Sequence, residues 1–227
     1  MVLTTADGLQ PLLTRDDSFT LRNESLDVFY HSVHGAIQES THVFIKAGLE
    51  QVQKLEVDVL EVGLGTGLNL LLTWIRCWEG KCRVRYTALE PNPLSKDLLE
   101  QLDHCNELAW PGLHAPFLER MTASNSEWAA EHGGLRFRML PTPLLQFNEE
   151  AAYDLIYFDA FAPRTQPELW TTDAFARMHA ALRPGGMLVT YCAKGVVRRA
   201  MMEAGLSVER LPGPVGKREM FRATKPS

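Results

Sequence analysis

The chain has 227 residues, 45% hydrophobic and 22% charged, with 16 Gly and 13 Pro spread along it; this predicts one folded domain and excludes fibrous, low-complexity and disordered classes. The longest uncharged central stretch, Val62 to Ile75, has 14 residues and three glycines, short of the roughly 20 apolar residues of a membrane span. The net charge of −5 argues against coating nucleic acid by bulk electrostatics, yet residues 183–227 carry nine Lys and Arg against three Glu, while residues 1–182 carry 14 basic and 25 acidic residues: a solvated basic face or a local site for an anionic partner.

Residues Met1 to Gly8 have neither a basic start nor an apolar run, which predicts no secretory leader and a cytoplasmic protein. Residues 9 to 30 mix polar residues with short apolar pairs and suit a small β extension. Gly35 to Ala47 carries apolar residues at 36, 37, 43, 44 and 47, consistent with a helix. Residues 1–56 are therefore read as an N-terminal extension packed on a main domain of residues 57–227. Val57 to Val62 then reads as a buried strand, Gly67 to Trp78 as a helix, Val84 to Glu90 as a strand and Pro93 to His104 as a helix with leucines at 94, 98, 99 and 102. Further strands are expected at Leu135 to Leu140, Tyr153 to Asp159 and, after a turn at Pro184-Gly185-Gly186, Met187 to Cys192. Helices at Thr172 to Leu182 and Val196 to Met202 and two last strands, Leu206 to Leu211 and Glu219 to Thr224, complete the set. Strands alternating with helices predict a mostly parallel sheet covered on both faces. Cys77, Cys82, Cys105 and Cys192 form no CxxC pair, and among seven histidines only His31 and His34 lie within one turn; structural thiols and no metal site are expected.

The strongest local signal is Leu60-Glu61-Val62-Gly63-Leu64-Gly65-Thr66-Gly67-Leu68-Asn69, at the end of the first buried strand and opening a helix. Its glycines allow a tight turn and let a ligand lie on bare backbone. The spacing is GxGxG, whereas a dinucleotide loop is GxGxxG and its last position here is Leu68. A carboxylate at Glu61 would repel a pyrophosphate and suits a ligand carrying an ammonium and a sulfonium. Glu90 ends the second strand, where a carboxylate can accept hydrogen bonds from both ribose hydroxyls. Together these features resemble the class I S-adenosylmethionine-dependent methyltransferases, which implies a Rossmann-like, seven-stranded sheet and cofactor contacts from Glu61, Gly63, Gly65, Gly67, Asn69, Glu90, Pro91 and Tyr30.

After the fourth strand stands Asp159-Ala160-Phe161-Ala162-Pro163, then Gln166-Pro167-Glu168-Leu169-Trp170. An Asp at a strand mouth either caps the next turn or does chemistry. As chemistry, Asp159 can accept the N–H bonds of a neutral amine and aim its lone pair at a methyl group, with Phe161 and Trp170 as flat walls for a base. This segment, with Tyr30-His31-Ser32, Gly35 to Ser40, Val43-Phe44-Ile45 and Gly216-Lys217-Arg218-Glu219-Met220, resembles the tRNA wobble-uridine methyltransferase family from about residue 17 to 224. The resemblance implies methylation of the primary amine of 5-aminomethyl-2-thiouridine, with Asp159 catalytic and Phe161, Pro163, Trp170, Arg198, Arg199, Lys217 and Arg218 on the substrate side. It also implies a tRNA anticodon stem-loop partner, no membrane, and functional coupling to the enzymes that make the aminomethyl intermediate. Some members are fused to a flavin-dependent oxidase half; no FAD is expected for this chain. The sequence has Gln166 where the family has Asn. It also has Pro141-Thr142-Pro143-Leu144 where many methyltransferases place an Asp against adenine, leaving Thr142 or a backbone carbonyl for that contact. A methyltransferase acting on a small-molecule amine and an aminopropyltransferase are the alternatives.

Overall fold

The computed structural model describes residues 8–123 and 128–227; most of the stretch read for a leader lies outside them. An antiparallel sheet comes first: β1 (Leu9–Leu13), β2 (Phe19–Asn23) and β3 (Val28–Phe29). Helix α1 (Ala36–Ser40) continues into a π-helical turn, Thr41–Lys46. Gly35 offers α1 no side-chain cap, and Asp16 from the β1–β2 turn replaces it, Oδ2 accepting from Gln38 N at 3.0 Å.

The large sheet follows: β4 (Glu56–Val62), α2 (Leu68–Trp78), β5 (Arg83–Leu89), α3 (Lys96–Leu102), α4 (His104–Glu107), α5 (His114–Thr122), β6 (Leu135–Leu140), β7 (Tyr153–Phe158), α6 (Thr172–Ala181), β8 (Leu182–Thr190), α7 (Gly195–Glu203), β9 (Ser207–Pro212) and β10 (Glu219–Thr224). Its seven strands run β6-β5-β4-β7-β8-β10-β9, and only β10 pairs antiparallel, with β8 and β9. This is the class I methyltransferase fold.

Period-two alternation sorts β7 between two faces. Leu155 and Tyr157 pack with Trp74 and Tyr86 on the α2 side, while Ile156 and Phe158 pack with Phe175 and Val197 on the α6 and α7 side. Tyr86, Tyr157, Phe158 and Phe175 are fully buried, each contributing about 1.5–3 kcal/mol by leaving water.

Two differences from the sequence expectations have local causes. The Pro184-Gly185-Gly186 segment lies inside β8: Tyr153 pairs with Leu182 and Leu155 with Met187, so the extra residues form a bulge, with Gly185 at φ 76°. Helices α4 and α5 fill a stretch for which no element was expected; α4 is a single turn of four residues, too short to display a helical period.

Candidate active site

Strand register builds the site. Val62 pairs with both Leu89 and Phe158, so Gly63, Glu90 and Asp159 leave the sheet side by side. Each keeps one more backbone bond: Gly63 N to Leu89 O at 3.1 Å, Asp159 N to Val62 O at 3.0 Å and Glu90 N to Leu140 O at 3.0 Å. They stand at the carboxyl ends of the strands where the sheet order reverses between β4 and β7, the usual ligand crevice of such sheets.

A cavity of about 460 Å³ opens there, lined by Tyr30, Gly63, Gly65, Glu90, Pro91 and Thr142 among others. The glycines leave no room for a side chain: a Cβ on Gly63 would lie 2.9 Å from Asp159 O, and one on Gly65 would lie 3.1 Å from the Tyr30 ring, both at positive φ. Glu90 pins this loop, Oε2 accepting from Gly65 N at 3.1 Å and Oε1 from Asn92 N at 2.9 Å. Burial pushes its carboxyl above the ordinary range despite these bonds. Tyr30 beside it is pushed up to about 12, by burial and then by the Glu90 charge. Leu89, Leu144 and Leu145 add apolar lining. A glycine cradle, an apolar slot and a carboxylate with lone pairs to spare fit an adenosyl group.

Glu61, Gly67 and Asn69 do not line this cavity. Glu61 is fully buried, with Oε1 accepting from Asn69 Nδ2 at 2.8 Å and Oε2 from Tyr86 Oη at 2.7 Å. The Asn69 amide also donates to Asp159 Oδ2 at 2.9 Å. Glu61 thus stands behind Asp159 through Asn69, with both its oxygens already bonded inside the protein. Gly67 packs under the loop, where a Cβ would fall 2.6 Å from Met121 Sδ. Glu149, the first acid after Pro141, is held by Arg138 and the Tyr153 hydroxyl, so Thr142 and its neighbours form the cavity wall there.

Asp159 belongs also to a second cavity of about 250 Å³, lined by Tyr30, Phe161, Arg164, Tyr191, Glu39 and Lys217 among others. Burial, and next the Glu39 charge, push the Asp159 carboxyl well above its ordinary value, while Asn69 and Lys217 act the other way. Phe161 meets the Tyr30 ring edge-on at 4.9 Å. Its backbone is fixed twice, N–H to Gln166 Oε1 at 3.0 Å and carbonyl to Trp170 Nε1 at 2.8 Å. Trp170 is therefore no wall for a base: it is buried against Phe158, Phe175 and Tyr191 and holds the Phe161 loop from behind. Pro163 is half-buried and lines neither cavity.

Among the basic residues after Leu182, Arg183, Arg210, Lys217 and Arg222 are ion-paired and Lys225 donates to Leu182 O. Arg199 and Arg218 are exposed and Arg198 half-buried, and among the described residues none of the three has an ion-pair partner; exposed Lys194, not singled out by sequence, joins them. Lys217 instead pairs with Glu39, a partner 178 residues away that no local motif announces. No helix is long and apolar enough to cross a membrane, and no acidic, His or Cys cluster suited to a metal ion occurs among the described residues.

Residues 135–226 match a family described as S-adenosyl-L-methionine-dependent methyltransferase. The tRNA 5-methylaminomethyl-2-thiouridine biosynthesis bifunctional protein MnmC of Cupriavidus necator is 33% identical over 221 residues, covering 87% of this chain and 32% of that protein. Its counterpart in Magnetococcus marinus is 32% identical over 235 residues, covering 96% and 34%. The chain thus spans about a third of the length of the curated relatives it matches. Among solved structures, MnmC2 from Aquifex aeolicus superposes with a TM-score of 0.80 at 26% identity, over 97% of this chain and 71% of that one. Spermidine synthase from Thermotoga maritima shares the fold alone, with a TM-score of 0.59 at 11% identity.

Proposed function

The chain belongs to the S-adenosyl-L-methionine-dependent methyltransferases, in the family that forms one part of the MnmC proteins, and on that premise we propose that it methylates the primary amine of 5-aminomethyl-2-thiouridine at the tRNA wobble position. The observation that carries this reading is the placement of Asp159 at the seam of two cavities, one fitted to an adenosyl group and one open to an acceptor.

Gly63 and Gly65 would hold the cofactor against backbone, Glu90 would accept from its ribose hydroxyls, and Tyr30 and Leu144 would flank it. When bound, S-adenosylmethionine supplies an electrophilic methyl group on a sulfonium. Asp159, steadied by Asn69, accepts hydrogen bonds from the amine and turns its lone pair toward the larger cavity. An alkylamine with a pKa near that of lysine, about 10.4, arrives protonated. A carboxyl held above its ordinary range sits closer in proton affinity to that amine than a surface Asp does, and so is a better proton acceptor. In-line alignment of nitrogen, methyl and sulfur can contribute about 7–11 kcal/mol, and the doubly anchored Phe161 backbone keeps the wall beside that line rigid.

A polyamine acceptor, as in an aminopropyltransferase, needs several unpaired carboxylates, whereas at the small cavity Lys217 already occupies Glu39 and Arg164 adds a further cation, leaving Asp159. A single amine presented on a polyanion suits that lining: Arg218 follows the lining residue Lys217 directly, Lys194 lies three residues after the lining residue Tyr191, and Arg198 and Arg199 stand in α7 beyond it, as cations for phosphates. The aminomethyl group must be supplied by a reaction that first installs a nitrogen-bearing substituent on uridine C5. The test is nucleoside analysis of tRNA after incubation with the protein and S-adenosylmethionine: the methylaminomethyl nucleoside should replace the aminomethyl one, and unchanged nucleosides would reject the proposal.

A further inference from the structure

Glu39 is 7% exposed, yet its carboxyl group is ion-paired with a residue 178 positions further along the chain. Its Oε2 accepts from Ser32 N at 2.9 Å, and its Oε1 takes the Lys217 ammonium. Lys217 also lies 4.0 Å from the centre of the Tyr191 ring, and the Tyr191 hydroxyl donates to Ala160 O at 2.9 Å, one residue beyond Asp159. Gly216, at φ 86°, brings this loop so close to the extension that a Cβ there would lie 2.5 Å from the His34 ring. Stability does not account for such a pair, because desolvating two ions cancels most of their attraction and an apolar pair serves the fold as well.

Position accounts for it. Glu39, Lys217 and Asp159 line the same small cavity. The groups around Asp159 are Glu39 from α1, Lys217 from the β9–β10 loop, Asn69 from α2 with Glu61 and Tyr86 behind it, and Tyr191 after β8, while Tyr30, His31 and Arg164 also line the shared cavity. We propose that the Glu39–Lys217 pair is a positioning device for Asp159, in which Lys217 neutralises Glu39 so that Asp159 is the anion that receives the acceptor's amine. The inference rests on the acceptor reading given above. In physical terms Glu39 disfavours the ionised Asp159 and Lys217 favours it, so removing either should move Asp159 in opposite directions.

The deciding measurement is carboxyl titration of the ligand-free protein by carbon NMR, with the Asp159 resonance identified by its loss in Asp159→Asn. Lys217→Met should raise the Asp159 midpoint by about one unit, Glu39→Gln should lower it, and the double variant should return it close to wild type, since one unit is a tenfold change in the proton equilibrium. Lys217→Arg, which keeps the charge, should hold the wild-type midpoint. In single-turnover transfer, the midpoint of the acid limb should follow the same order. If Lys217→Met does not fold, the double variant, which leaves no buried unpaired ion, against Glu39→Gln alone makes the same comparison. Unmoved midpoints, with a lower salt slope for tRNA binding in Lys217→Met, would overturn the proposal and make Lys217 a phosphate ligand. A wild-type protein that transfers nothing to aminomethyl tRNA would reject the acceptor reading, while the titration would still decide the coupling.

Discussion

Removing the Glu90 carboxylate tests the cofactor site without requiring turnover. Glu90 pins Gly65 N and Asn92 N at 3.1 and 2.9 Å, using one lone pair on each oxygen; the second pair on each remains for a ribose hydroxyl. Hydrogen bonds to a charged group contribute about 1.5–3 kcal/mol each. Taking the lower value at this half-buried position, Glu90→Ala should lose about 3 kcal/mol, or roughly 150-fold in affinity. Glu90→Gln keeps one acceptor oxygen and should lose about tenfold. The assay is calorimetric titration with S-adenosylhomocysteine, the demethylated product. Because burial holds the Glu90 carboxyl above its ordinary range, and only the ionised form accepts at both oxygens, wild-type affinity should fall as the pH drops through that raised value. The Gln variant should lack this limb. An Ala variant within about threefold of wild type would refute the placement of the ribose at Glu90.

Asp159→Ala should abolish measurable transfer in single turnover while leaving S-adenosylhomocysteine affinity within about threefold of wild type; a wild-type rate would reduce Asp159 to a turn cap. Gly67→Ala should cost at least about 1–2 kcal/mol in urea unfolding for its left-handed φ of 76° alone, with more from the contact at Met121. At the far end of the strands, burial raises the Asp154 carboxyl, but bonds from Asp58 N, Lys54 and Arg183 outweigh it and hold the group below its ordinary value. A depressed folded value means stability that is present above the unfolded pKa, about 3.9, and lost as pH falls through the folded one. Asp154→Asn should therefore flatten the acid limb of a stability–pH curve below about pH 5. Arg198→Ala and Arg199→Ala should each lower the salt slope of tRNA binding by about 0.7–0.9 if they meet phosphates, and an unchanged slope would move the docking surface elsewhere.

The parallel strands were legible because burial on both faces requires unbroken apolar runs such as Val59-Leu60 and Leu155 to Phe158. The glycine loop was legible because three left-handed φ values in five residues, 87°, 51° and 76° at 63, 65 and 67, strongly favour glycine. Roles set by orientation were not. A carboxylate two residues before a glycine loop reads alike whether it meets a ligand or, as Glu61 does, a buried amide and a phenol. An aromatic near a catalytic motif reads alike whether it walls a pocket or, as Trp170 does, props the loop from below. Lys217 looked like one more cation in a basic tail because its partner lies in α1.

That partnership bears on how the enzyme comes into being. Glu39 and Lys217 are 178 residues apart, so a nascent chain carries Glu39 without its partner at the mouth of a half-built pocket while all of the parallel strands are being made. Closure of the small cavity is a long-range event of the kind that forms slowly and late, and a chain stalled before the β9–β10 loop, even with its parallel strands and glycine loop in place, would lack both β10 and the lysine that completes the charge pattern around Asp159.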